Sequence, residues 1–347
     1  MRDPARREAV PGGELGSERG MALIIVLLGL ALVLLVVGEF IQAVRLEAAT
    51  TLNFRRAIVA TQLAQAGYQR AVAEILADFR AVELDVDGSL AFRRSGDAAE
   101  RIEAPPRLDI DLGGPGGGRL SYRITDETSR INLNRASADL LGRLVDTLGV
   151  ERDTRDVIVD SVQDWRGPDE GHRLNGAKSD YYLALPVPYR SKNADFDDVE
   201  ELAQVRGVTP AILRGSGTTP GLAELLTVAG AGAVNVNTVE APVLRALGFA
   251  DAEIELLVAR RPYRDLAAVP PAVRRGSLVV SSDTFRIQAW GAGAGPQRTL
   301  VAVVQRRLAP DRAARVVVLS WRWLDQVHDQ PARERGPGAR PQSTVAE

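Results

Sequence analysis

Residues 21–38 read MALIIVLLGLALVLLVVG, an apolar run of 18 residues with neither charge nor proline. As a helix rising about 1.5 Å per residue, it reaches roughly 27 Å, just short of a hydrocarbon core of about 30 Å. The reading is a membrane-crossing helix. A cleaved secretory signal would show a basic head, a shorter apolar stretch and a small-x-small site directly after it. The preceding segment, MRDPARREAVPGGELGSERG, is instead long and charge-balanced, and no Gly or Pro interrupts residues 39–66. The helix is therefore expected to continue past the membrane as one rod.

The continuation has its own pattern. Tyr68, Val72, Ile75, Leu76 and Phe79 recur at three- and four-residue spacings and form one apolar stripe, with Arg70, Glu74 and Asp78 on other faces. The lower part of the rod is expected to dock on a folded head.

Composition narrows what that head does. The chain has 43 Lys+Arg against 45 Asp+Glu, so no global basic field draws it to nucleic acid or anionic lipid. With no Cys there is no disulfide scaffold, thiol nucleophile or Cys-based zinc site. The only histidines, His172 and His328, leave a Ser-His-Asp triad almost without candidates. Catalysis is not expected. Lys178 and Lys192 are the only lysines, a bias toward arginine that reads as codon usage.

Beyond the rod, RLDIDL (107–112) and RLSYRIT (119–125) alternate apolar and polar residues around GGPGGG, the pattern of a hairpin. GGPGGG precedes a strand and lacks a following Lys-Ser/Thr, so it is no phosphate loop. From Asp126 to about Arg275 helical patterns with short polar turns take over; strand patterns return at 284–290, 299–306 and 315–321. Strands, helices, strands reads as a helical domain inserted in a sheet domain, an α+β fold. Trp321 and Trp323 alternate on the last strand and read as packing or a partner-facing patch.

The insertion holds a near repeat: Ile131-Asn132-Leu133-Asn134 and Val234-Asn235-Val236-Asn237 each precede a Leu-rich helix. The second Asn, or a nearby Ser or Thr, is expected to cap helix amides.

Three features carry a family resemblance. Arg19-Gly20-Met21 is similar to the leader junction of type IV pilin-like precursors, in which a membrane peptidase cuts after Gly and methylates the new amine. Ile25 stands where most such proteins have Glu at the fifth mature position, and among pseudopilins that departure marks the one thought to sit at the tip. DETSRINLNRAS, Asp164-Trp165, Gly176-Ala177, Asp180-Tyr181-Tyr182, Pro188-Tyr189-Arg190, VEELAQVRGVTP, VNVNTVEAPVL, SSDTFRI and VVVLSWRW resemble, in order, the protein K family of type II secretion over residues 18–325.

That resemblance implies a leader at 1–20, a membrane part at 21–38, the rest of the pilin helix and first strands at 39–125, and an inserted helical domain at 126–280. The sheet's last strands follow at 281–325 and a disordered tail at 326–347. It implies cleavage between Gly20 and Met21, methylation of Met21, and single-pass placement in the inner membrane with the head in the periplasm. Expected partners are the minor pseudopilins I and J, the major pseudopilin, the prepilin peptidase, the inner-membrane assembly platform and the lipid bilayer, with no nucleic acid.

Family members also carry calcium on the acidic loop at 164–182. Here Gly167 and Lys178 stand where carboxylates are typical. Asp164, Asp169, Glu170 and Asp180, with Asn175, remain as ligands for a weaker calcium site; without an ion, Lys178 pairs with Asp169 or Asp180. The alternative function is a membrane-anchored helix-hairpin-helix protein that binds DNA. The turns at 148–152 and 246–251 each lack the second glycine of that module, and Asp153 and Asp156 lie near where phosphate would sit.

Overall fold

The computed structural model describes residues 15–77, 82–84, 90–92, 110–113, 117–217, 219–274, 278–308 and 314–324. Most of the expected leader, Phe79 of the stripe and Asp78 beside it, the start of RLDIDL, His328 and the expected tail lie outside these residues.

Helix α1 spans Leu15–Ala77. It starts before the expected leader junction, so Gly20 and Met21 lie inside a helix. Among the described residues this is the one helix long and apolar enough to cross a membrane. Leu23, Ile24, Leu28 and Leu34 are all exposed along it, and a helix satisfies its backbone internally, as lipid demands. Two units are distinguished, Met1–Ile58 and Val59–Glu347.

The second unit contains the last turns of α1 and two short strands, β1 (Val82–Leu84) and β2 (Leu90–Phe92), which pair antiparallel. Its main sheet uses β3 (Ile110–Asp111), β4 (Arg119–Asp126), β11 (Thr284–Ala292), β12 (Arg298–Leu308) and β13 (Ala314–Leu324). These are antiparallel in the order β13-β12-β11-β4-β3. Alternation places Tyr122, Ile124, Ile287, Ala289, Leu300 and Ala302 on one face, where Ala64, Tyr68, Ala71 and Ile75 of α1 cover them. The stripe on α1 begins earlier than the large apolar residues suggest, because Ala60, Leu63, Ala64 and Gly67 are buried too. Small residues there bring helix and sheet backbones together: a Cβ on Gly291 would overlap the Ala60 carbonyl and approach the Ala64 amide. Trp321 stands edge-on to Tyr68, with ring centroids 4.8 Å apart, and Trp323 packs edge-on to Trp321.

The helical part of the head lies between β4 and β11 in sequence. It runs through β5 (Ile131–Asn132), α2 (Ala138–Thr147), α3 (Arg152–Arg166), α4 (Ser179–Leu183) and α5 (Pro210–Arg214). A small hairpin of β6 (Gly215–Ser216) and β7 (Thr219–Pro220) follows, then α6 (Leu222–Leu225) and β8 (Leu226–Thr227). The second half has β9 (Val234–Asn235), α7 (Ala241–Ala246), α8 (Asp251–Ala259) and β10 (Leu278–Val279). Its apolar core is separate from that between α1 and the sheet.

The near repeat is structural, but its asparagines do other work than expected. Asn134 donates to the Phe196 carbonyl and accepts from the Phe196 amide, at 2.9 and 2.8 Å. Asn237 treats Tyr263 identically, at 2.9 and 2.7 Å. Each second Asn thus clamps a distant backbone segment instead of capping the next helix. Only the Ser137 part of the capping expectation holds in this pair: its Oγ accepts from the Leu140 amide at the start of α2. The residue before α7, Glu240, makes no side-chain cap. In both halves the first Asn sits in a two-residue parallel pair, β5 with β8 and β9 with β10.

Three of the quoted motifs meet where the sheet passes into this helical part. Asp126, buried, accepts from Asn235 Nδ2 at 2.7 Å, Thr238 Oγ1 at 2.6 Å and the Thr128 amide at 2.7 Å. Beside it, Glu127 receives a two-pronged bond from Arg286, both prongs 2.8 Å, and lies 3.5 Å from Arg130. Thr128 and Ser282 hydroxyls lie 2.6 Å apart, tying DETS to SSDT.

Candidate functional site

The site with the richest chemistry is the loop that leaves α3 and returns into α4. Helix α3 presents Asp160 and Asp164 one turn apart, so both face the returning chain. Asp164, with no exposure, accepts from the Arg173 amide at 2.9 Å and from its guanidinium at 2.7 Å. Gly176 lies so close that a Cβ there would overlap the Asp164 carboxylate, which explains the glycine. Asp160 accepts from the Asn175 backbone amide at 3.1 Å and its side chain at 3.2 Å. Beneath the loop, Trp165 packs edge-on to Tyr182 at 5.3 Å and stacks with Phe196 at 6.3 Å. Burial pushes the Tyr182 hydroxyl up to about 12, so it stays protonated while it accepts from the Arg206 amide at 3.2 Å.

Lys178 is almost fully buried, with 1% exposure. Its ammonium donates to the Gly167 carbonyl at 2.7 Å and to Asn193 Oδ1 at 3.0 Å, and lies 3.7 Å from Asp169. Glu170 is held elsewhere, accepting from Asn193 Nδ2 at 2.8 Å. Asp180 is exposed in the first turn of α4.

The four carboxylates expected to bind calcium are therefore not gathered. Asp164 faces Arg173, Asp169 faces the Lys178 ammonium, Glu170 faces Asn193, and Asp180 opens to solvent. No group of three or more His, Asp or Glu among the described residues is arranged to hold a metal ion. Calcium asks for six to eight oxygens in one shell, and these residues do not fit it. Of the two pairings expected for Lys178 without an ion, the structure shows the one with Asp169, at 3.7 Å.

Sequence reasoning missed Asn193, Arg173 and Asp160. Asn193 adopts a left-handed conformation, φ 52°, that a short polar residue tolerates, but no spacing in the sequence ties it to a loop some twenty residues earlier. His172 is exposed.

At the other expected positions, Met21 and Ile25 are exposed on α1. The helix-hairpin-helix turns lie between α2 and α3 and between α7 and α8, with Gly149 at φ 72° and Gly248 at φ 90°. Near the first, Arg155 of α3 is paired with Asp146 and Asp156.

Residues 123–215, which contain Asp126, Glu127 and Arg130 of the junction and the whole loop, match the family model for the type II secretion system (T2SS), protein K. The expected likeness to protein K holds. The type II secretion system protein K of Pectobacterium carotovorum subsp. carotovorum is 28% identical over 187 residues, covering 48% of this chain and 56% of that protein. The chain thus spans about half the length of that relative. A putative type II secretion system protein K of Escherichia coli K12 is 26% identical over 312 residues, 84% of this chain and 86% of the other. Among solved structures, a chain of the GspK-GspI-GspJ complex from enterotoxigenic Escherichia coli superposes with a TM-score of 0.55 at 18% identity, covering 81% of this chain and 99% of that one. At that identity the likeness establishes the fold: a long apolar N-terminal helix, an antiparallel sheet and a mixed helical insertion. The protein K segment ends before the second half of the repeat, which begins at β9.

Proposed function

We propose that this chain is a minor pseudopilin of a type II secretion system that sits at the pseudopilus tip and nucleates filament assembly for export of folded proteins across the outer membrane. The observation that carries the reading is the pairing of a long apolar helix with a sheet interrupted by a helical domain, of which residues 123–215 resemble protein K. On this reading the peptidase cuts after Gly20 and methylates Met21. Residues 21–38 hold the precursor in the inner membrane, and the head lies in the periplasm.

Ile25 fits the tip. A buried glutamate at that position would need the N-terminal ammonium of a neighbouring subunit; a subunit without it makes no such contact. The relative in the GspK-GspI-GspJ complex assembles with two other minor pseudopilins, and proteins I and J are the proposed partners here. The major pseudopilin and the assembly platform follow from the same role. The work is assembly, with no catalytic group required. On this reading the head, enlarged by residues 127–283 between β4 and β11, caps the end of the filament.

The test is the position of the head in filaments. Gold-labelled antibody against the head should mark one end of each pseudopilus; labelling along the whole length would refute tip placement.

A further inference from the structure

We propose that the Lys178 ammonium is the resident cation of the α3–α4 loop, so that this protein holds with a covalently attached charge a loop that would otherwise call for a bound divalent ion. Three oxygens of different origin converge on one buried nitrogen: the Gly167 carbonyl at 2.7 Å, the Asn193 side-chain oxygen at 3.0 Å and an Asp169 carboxylate oxygen at 3.7 Å. The first is the carbonyl of Gly167, the extended residue directly after the 15-residue helix α3. The second is on a residue in left-handed backbone, and it also accepts from Ser191 Oγ at 2.9 Å. The third comes from a side chain otherwise open to solvent.

Carbonyl, amide and carboxylate oxygens are the ligand types a hard divalent cation selects. An ammonium meets the first two with hydrogen bonds and the third with its charge. It also joins the end of α3, the 169–170 turn and the 191–193 segment, a cross-link of the kind a metal makes between chain segments. Burying Lys178 this deeply is tolerable because its head group is hydrogen-bonded and charge-paired.

The experiment uses the full chain in detergent, with unfolding followed by tryptophan fluorescence. Wild type should melt at the same temperature in chelator and in millimolar Ca²⁺, and equilibrium dialysis with radioactive calcium should find no tight binding. Lys178→Met should lower Tm by roughly 5–10 °C in both conditions, since the Gly167 carbonyl loses its side-chain donor and Asn193 Oδ1 loses one of two. Lys178→Asp should be destabilised in chelator and regain stability as Ca²⁺ is added, in proportion to the logarithm of its concentration. Three results would each overturn the proposal: a wild-type chain that binds calcium tightly or melts lower in chelator, a Lys178→Met chain as stable as wild type, or a Lys178→Asp chain indifferent to Ca²⁺. The dialysis on wild type decides the matter even where neither variant folds.

Discussion

Glu127→Gln should destabilise the head by about 3–5 kcal/mol at pH 7, the range for removing one partner of a buried ion pair. Glu127 is 2% exposed, and the Arg286 and Arg130 guanidiniums beside it are each 15% exposed. Glutamine keeps the shape but leaves two buried cations without a counter-charge. Burial pushes the Glu127 carboxyl up, yet Arg286 and Arg130 outweigh it and hold the group at about 2, against 4.5 for the free side chain. The group therefore contributes stability that is fully present above about pH 4.5 and is lost as the pH falls toward 2. Asp126 acts in the opposite sense. Burial raises its carboxyl, against the donors Thr238, Ser282 and Asn235, so its contribution favours the folded state at low pH and is lost as pH rises through the raised value. Denaturant unfolding at a series of pH values should show the wild-type and Glu127→Gln curves far apart at pH 7 and converging below pH 4. A constant gap would mean that the charge of Glu127 is not what the junction uses.

Gly291→Val should cost about 3 kcal/mol, at the upper end of overpacking. The space beside Gly291 is closed by the backbone of α1 at Ala60 and Ala64, which has no rotamer to yield. To admit a side chain, helix and sheet must separate, and the contacts of Tyr68, Ala71 and Ile75 loosen with them. Gly67→Ala is the graded control: its Cβ would lie 3.1 Å from the Ser121 carbonyl and 3.4 Å from Ala289, tight but short of overlap. Thermal unfolding should rank Gly291→Val well below Gly67→Ala; equal melting temperatures would show that the close approach of α1 to the sheet does not matter to stability.

These two positions illustrate what the sequence reveals and conceals. The rod, the alternating strands at 284–290, 299–306 and 315–321 and the intervening helices were legible because apolar periodicity reports directly on burial. The upper part of the α1 stripe was not, because Ala60, Ala64 and Gly67 are buried for being small, and small residues give no hydrophobic signal. The Asn-x-Asn repeat was visible as a pattern, but its role was misread. A local rule suggested capping, whereas Asn134 and Asn237 reach backbone 62 and 26 residues away. The same limit applies to the loop. Lys178 is recognisable in the sequence as a cation in an acidic segment, with Asp169 and Asp180 as its two possible partners. Asn193, the ligand that makes it a cage, is brought in only by tertiary structure. Glu127 was in plain view within DETS, yet nothing local announced that Arg286, far along the chain, would meet it.

A pilin-like precursor is processed at its N-terminus, and that end of the chain gives the most direct test. Mass spectrometry of the chain purified from membranes should find a mature protein beginning at Met21, with a methylated amine and residues 1–20 removed. A chain that retains those residues, or one cut beyond the apolar run, would contradict it.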